Sequence, residues 1–377
     1  MFTLNEEQQM LKDAAKSFMQ EQSPVSRLRK VRDSNLDGFD KDLWKEIVDL
    51  GWTGILVPEE FGGSALGYLG LGVVLEEAGR TLSPSPLLST ALIGVSAIML
   101  GGSAAQKSEW LPKVVDGSAI IALAVDEGPH HAPAKTALKA EKSGAGYKLT
   151  GKKMYVADGH LANLLIVPAR TSGKPGDAKG ITMFLVPADA KGVKRTTLKT
   201  MDSRGAADIE FDGVEVPASA VLGQADNGGE LLDQVLDRAR IGLSAEMLGT
   251  ASQAFEMINA YLKTRVQFGQ LIGSFQALQH RAAKMFTELE LTRSCVIGAL
   301  DALDENRNDI AEMASLAKAR AGDTLHLVSN EVIQMHGGIG MTDAHDAGFY
   351  LKRARVTEGL FGNQAFHRDR YATINGY

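Results

Sequence analysis

The sequence is poor in cysteine, in clustered basic charge and in long apolar runs, and each shortage closes a class of function. Cys295 stands alone among 377 residues. No intrachain disulfide and no cysteine-based metal cluster can therefore form, and a lone thiol suits a reducing compartment. Lys and Arg number 40 against 46 Asp and Glu, a formal net charge of −6. No basic stripe gathers these cations, so nucleic acid is not expected as a partner, because neutralising phosphates needs clustered Lys and Arg. The apolar stretch Ala91–Leu100 is too short for a membrane span and reads as a buried core helix. From Met1 to Glu7 there is no basic segment followed by an apolar one, so no signal peptide is expected. A soluble cytoplasmic protein without membrane insertion is the expectation.

Generic catalytic signatures are missing as well. The chain has no Gly-x-x-x-x-Gly-Lys-Ser/Thr loop, no Gly-x-Gly-x-x-Gly after a strand and no His-Glu-x-x-His. The pair His130-His131 sits in a polar loop and is expected to face solvent, since a metal site needs further converging ligands. No metal is expected, and spacing alone names no active site.

What is present is an ordinary globular balance, with 44% hydrophobic and 23% charged residues, in a chain long enough for two or three packed units. Its texture changes twice. Up to residue 119 the apolar spacing is helical, as in Leu11, Ala14, Ala15 and Phe18, or Leu43, Ile47 and Leu50, with breakers at Pro58–Gly63 and Ser83–Pro86. Residues 120–225 carry short apolar runs, such as Leu164–Val167 and Met183–Val186, between turn-forming clusters. Tyr147 and Leu149 alternate, as do Ile209 and Phe211, with Val214 and Val216 following a turn expected at Asp212-Gly213. This pattern predicts an antiparallel β-domain or barrel. Thr171–Asp177 reads as a surface loop between strands. From residue 226 to 377 the helical period returns, with Leu232, Val235, Leu236, Ala239, Leu243 and Met247 on one stripe. The fold class is α+β, in the order helical, β, helical.

Two clusters have the composition of ligand sites. In Tyr261–Gln270, followed by Phe275-Gln276, an Arg and a Gln near a Phe268-Gly269 turn have the groups to grip a pyrophosphate, Arg through its two-pronged fork. A plain helix end, with Arg265 on the dipole and Gly269 as cap, fits the same residues. In Val332–Met341 three glycines follow a helical run, permitting close backbone approach or simply stopping the helix. Residues alone leave both pairs of readings open.

Together with Val57-Pro58-Glu59-Glu60-Phe61-Gly62-Gly63, these motifs in this order make the whole chain resemble the acyl-CoA dehydrogenase family. The resemblance implies an N-terminal helical domain, a middle β-barrel domain and a C-terminal four-helix bundle, in a homo- or hetero-oligomer (dimer or tetramer). It implies FAD held between the β-domain and the C-terminal helices, an acyl-CoA substrate and electron-transfer flavoprotein as acceptor. Arg265, Phe268 and Gln276 match positions that contact the ADP part of a neighbouring subunit's FAD, and Gln334, Gly337 and Gly338 match the loop completing that site. Val125-Asp126 and Tyr155-Val156-Ala157 match segments lining the flavin ring. Arg240 matches an arginine near the acyl-CoA.

The departures fall on the reacting end. The family's glutamate base precedes a glycine in a C-terminal Glu-Gly-Thr motif; the matching residues are Phe361-Gly362-Asn363. Other members carry the base just before the arginine matched by Arg240, where this chain has Ala239. Phenylalanine accepts no proton, although its backbone N–H can still polarise a carbonyl. Glu358, three residues before Phe361, is the weak candidate for a relocated base, with Glu246 on the Ala239 stripe. In the β-domain Asp126-Glu127-Gly128-Pro129-His130-His131 replaces Thr-Glu-Pro-Gly-x-Gly-Ser, and Ala157 lacks the hydroxyl usual near flavin N5. An Asp there is an odd neighbour for a reduced, anionic flavin. Three readings result: a dehydrogenase with a relocated base for a bulky or branched acyl group; a subunit without its own base that completes a partner's FAD site, resembling bacterial subunits acting on sterol-side-chain, dicarboxylic or other bulky thioesters; or a same-fold flavoenzyme of other chemistry, such as an oxidase or monooxygenase.

Overall fold

The computed structural model describes residues 4–34 and 38–377. In chain order the helices are α1 (Glu6–Gln22), α2 (Val25–Asp33), α3 (Lys41–Asp49), α4 (Gly67–Thr81), α5 (Val95–Gly101) and α6 (Ala104–Val115). Strands β1 (Ile121–Leu123), β2 (Lys139–Ser143), β3 (Gly146–Ala157), β4 (Leu164–Arg170), β5 (Ile181–Pro187), β6 (Val193–Leu198), β7 (Ala206–Pro217) and β8 (Val221–Leu222) follow. Then come α7 (Gly228–Thr264), a hairpin of β9 (Val266–Gln267) and β10 (Gln270–Leu271), α8 (Gln276–Asp304), α9 (Ile310–His336), α10 (Ala347–Gly359) and α11 (Gln364–Ile374). No described helix is long and apolar enough to cross a membrane.

By compactness the chain divides into two units, which cut across the three textures. One comprises residues up to 30, 68–83 and 240–377; the other comprises 31–67 and 84–239. The first unit draws α4 into the C-terminal helices because glycines remove side chains where backbones approach. A Cβ on Gly79 would lie 2.0 Å from the Glu246 carbonyl oxygen, and one on Gly249 1.8 Å from that of Glu76. The Thr250 hydroxyl donates to the Gly79 carbonyl at 3.0 Å across the same contact. Two expected stripe residues, Ala14 on α1 and Leu50 beyond the end of α3, are exposed; the buried positions are Ala15 and Met19, and Leu43, Trp44 and Ile47. The stripe on α7 is only part of a longer burial, since residues 235–252 are buried all round. Polar groups there are consequently bonded, as in the Ser244 hydroxyl donating to the Arg240 carbonyl at 2.7 Å.

In the second unit the apolar run Leu88–Gly94 forms a buried π-helical turn leading into α5. The sheet runs β6-β7-β3-β2-β4-β5-β8, with β1 beside β4. It is mixed: most ladders are antiparallel, but β1 pairs with β4 in parallel and β2 touches β4 in parallel at Lys139 and Arg170. Leu149, Val167, Phe184, Ile209, Phe211 and Val214 meet in its core. Asp212-Gly213 is a bulge within β7 and not a turn. Leu149 faces Val214 and Gly151 faces Phe211, leaving an extra residue on β7, with Gly213 at φ 64°. A second bulge puts the extra residue on β3, between Lys153 and Val156. The 171–177 loop joins β4 to β5, and Thr171 and Ser172 bond its root to Asp226 at 2.7 and 2.6 Å.

Candidate functional site

The turn that replaces the Glu-Gly-Thr motif is held by three buried side-chain donors. Phe361 lies at φ 57° and Gly362 at φ 103°, between the end of α10 and Asn363, whose side chain caps α11 by accepting from the Phe366 N–H at 2.9 Å. The Phe361 carbonyl accepts from Arg240 Nε at 3.3 Å and from His367 Nε2 at 3.1 Å. Lys318 Nζ donates to the carbonyls of Gly362 (3.0 Å), Thr357 (3.0 Å) and Glu358 (3.2 Å). Arg240, Lys318 and His367 are all fully buried. Burial pushes the Lys318 amine down to about 7, against the pull of Glu358 and with a further push from Arg240. Burial, with the charges of Arg240 and Lys318, pushes His367 down to about 2. His367 is therefore a neutral ring that donates through Nε2, and its buried Nδ1 has no partner among the described residues. The backbone N–H of Phe361, on a residue only 5% exposed, likewise has no acceptor among the described residues.

The candidate carboxylates are occupied. Glu358 is paired with Arg355 at 2.8 Å and with His326 at 3.2 Å. Glu246 is buried against Arg353 at 3.3 Å. Ala239 is fully buried and offers a methyl group. Lys318 escaped the sequence reading: it sits in Ala317-Lys318-Ala319, which looks like solvated helix surface. The usable signal was its spacing from Ala314, Ala321 and Leu325, all buried on α9.

The second cluster of that unit is open. Phe268 (φ 55°) and Gly269 (φ 77°) form the turn of the β9–β10 hairpin, so Gly269 is not a helix cap. Phe268 is 91% exposed, touching Phe275 edge-on at 6.1 Å between ring centres. Arg265, Gln276 and Gln334 are exposed, and their side chains have no partner among the described residues. Gln276 opens α8, whose N-terminus has no side-chain cap and so presents N–H groups suited to an anion. Gly337 and Gly338 are exposed, and a Cβ on either would meet nothing within 4 Å. Beneath them His336 stacks on Tyr261 at 4.5 Å. Uncommitted cationic and amide donors beside bare backbone fit the diphosphate part of a dinucleotide.

In the second unit Tyr155 occupies the β3 bulge at φ 50°, and its N–H turns to Asp208 Oδ1 at 3.0 Å. This leaves its ring partly exposed. Ala157 ends β3 opposite Ala206. Val125 gives its carbonyl to Lys153 Nζ at 3.1 Å. Lys153 is wholly buried, also donates to Glu127 at 2.7 Å, and has its amine pushed down by burial, partly offset by Glu127. Asp126 accepts from the Ala132 N–H at 3.3 Å and bonds His131 Nδ1 at 3.0 Å. His130 is exposed as expected, but the His131 side chain is buried, because Asp126 draws it inward.

Helical, sheet and helical segments in this order define an α+β architecture. Three family models match in sequence: the acyl-CoA dehydrogenase N-terminal domain over residues 5–118, the middle domain over 126–214 and the C-terminal domain over 226–374. The chain belongs to the acyl-CoA dehydrogenase family and is an oxidoreductase of that family. It is similar to the short/branched chain specific acyl-CoA dehydrogenase, mitochondrial, of Bos taurus, at 30% identity over 94% of this chain and 82% of that one. Among solved structures it is similar to the Tcur3481-Tcur3483 steroid ACAD (32% identity, TM-score 0.89, covering 99% of this chain and 98% of that one). It is also similar to the ChsE4-ChsE5 complex from Mycobacterium tuberculosis (26% identity, TM-score 0.91, covering 100% and 99%).

Proposed function

We propose that this chain is a cytoplasmic subunit of a heteromeric, FAD-dependent acyl-CoA dehydrogenase, and that it supplies nucleotide-gripping residues to an assembly whose catalytic base sits on a partner chain. One observation carries the reading: the base position is Phe361, its alternative is Ala239, and the neighbouring carboxylates Glu358 and Glu246 are held by Arg355 and Arg353. Bound FAD would accept the hydride leaving the β carbon of the thioester. Arg265, Gln276 and the backbone at Gly337-Gly338 would hold its diphosphate, with Phe268 and Gln334 beside them. Val125, Asp126, Tyr155 and Ala157 belong to the flavin-ring side. There, in place of a hydroxyl, Asp126 is bonded to His131 and to the Ala132 N–H. Arg240 is the arginine of the acyl-CoA region, and here it acts through the Phe361 carbonyl. The substrate class is a bulky acyl-CoA thioester, and the acceptor an electron-transfer flavoprotein. The likeness to a steroid ACAD and to a two-component complex supports both the bulky substrate and the heteromer.

The test is flavin content and turnover of the chain purified alone and after co-expression with a family member that carries the glutamate. Little flavin alone and full loading with the partner is the expected result. Family-like turnover by the lone chain overturns it.

A further inference from the structure

An ammonium group has three N–H donors and no acceptor, and Lys318 spends all three on carbonyls that bracket one turn. Two belong to the last turn of α10, Thr357 and Glu358, and the third is Gly362. The C-terminal end of a helix leaves such carbonyls unpaired and partly negative, a favourable place for a cation. Among the described residues no carboxylate is bonded to Lys318, and its hydrogen bonds are directed at backbone. The adjoining carbonyl, of Phe361, is taken by Arg240 and His367. The charged groups facing the amine are thus Glu358 from α10 and Arg240 from α7, with neutral His367 from α11.

This concentration of buried donors holds a backbone that resists its own conformation. A non-glycine residue at φ 57° costs about 1–2 kcal/mol, and the Phe361 N–H makes no hydrogen bond among the described residues to recover it. The consequence is an N–H fixed in place with no acceptor of its own.

We propose that Lys318 is the positioning residue of the Phe361-Gly362 turn: by tying the end of α10 to the Gly362 carbonyl it keeps the Phe361 N–H available to a substrate carbonyl. The role of that N–H as a thioester donor rests on this chain lining an acyl-CoA site of its own within the assembly proposed above; the clamp itself does not.

The test uses the co-expressed assembly and two probes, an acyl-CoA thioester and the thioether of equal length, which lacks the carbonyl oxygen. Wild type is expected to bind the thioester more tightly. Lys318→Met should weaken thioester binding by about tenfold, the size of one lost hydrogen bond to a carbonyl, and leave the thioether unchanged. A general loss of structure would weaken both alike. Lys318→Gln, which keeps two donors, should fall between. Amide hydrogen exchange over residues 357–363, measured on the same proteins, is expected to rise in both variants. Should Lys318→Met not fold, the Gln variant and its exchange carry the test. A thioester preference and exchange that are both unchanged in these variants would overturn the proposal. If exchange rises but wild type shows no thioester preference, the clamp stands and the carbonyl-donor role of Phe361 fails.

Discussion

Two of the Phe-Gly pairs, Phe268-Gly269 and Phe361-Gly362, form turns with both residues at positive φ and with opposite surroundings. Phe268-Gly269 has φ values of 55° and 77°, and Phe361-Gly362 has 57° and 103°. The first is a hairpin tip with its phenyl ring 91% exposed; the second is 5% exposed, with both carbonyls bonded by buried Arg240, His367 and Lys318. A left-handed phenylalanine is costly in either place. At Phe361 the cost is offset inside the folded chain. At Phe268, among the described residues, only the hairpin pairing and an edge contact with Phe275 stand against it. The same dipeptide thus lies buried among bonded donors in one place and open to solvent in the other.

The difference can be broken by pH, with the largest expected effect. Lys318 titrates near 7 in the folded chain against 10.5 when solvated. Below about 7 both states hold the proton. Between the two values the unfolded chain holds a proton that the native one has shed, so this group's contribution to stability grows with pH. It is complete above 10.5 and lost as pH falls through 7, a change on the order of a few kcal/mol. Chemical unfolding of wild type and Lys318→Met from neutral to alkaline pH checks this: the slope should be present in wild type and flatter in the variant.

Next in size is Gly362→Ala. A Cβ there would meet the Phe366 ring at 2.5 Å and His367 Nε2 at 2.9 Å, on a backbone at φ 103°. Overpacking and strain together should cost about 3 kcal/mol. Gly269→Ala differs, since no atom lies within 4 Å of its Cβ. Only the positive φ counts, and about 1 kcal/mol is expected. Equal losses in paired denaturation curves would remove the distinction between the turns.

How much of this was legible depended on whether a signal was local. The Phe268-Gly269 turn was readable because a glycine beside polar flanks announces itself in a few residues. Asp212-Gly213 sent the same local signal, yet the ladder with β3 absorbed the positive φ as a bulge, and only the pairing partner decides between turn and bulge. That neither usual base position carries a carboxylate was legible from Phe361 and Ala239. The clamp was not, since Lys318 lies 39 residues from Thr357 and 44 from Gly362 in sequence, and a lysine among alanines carries no mark of burial. His131 was misjudged for the same reason, because its inward turn depends on Asp126 accepting it.

The smallest expected effect has the opposite sign and is the sharpest test of the comparison. In a two-residue hairpin with both central φ values positive, asparagine is a far better first residue than phenylalanine. Phe268→Asn should therefore raise the stability of the lone chain by a few tenths of a kcal/mol up to ~1 kcal/mol, because the exposed ring contributes only an edge contact with Phe275. In the assembly the same change should lower flavin retention, read as the absorbance of released flavin on dilution. A stabilising substitution that impairs the complex is the signature of a residue whose partner lies outside its own chain. If Phe268→Asn destabilises the lone chain instead, the ring is held from within, and the two Phe-Gly turns are alike after all.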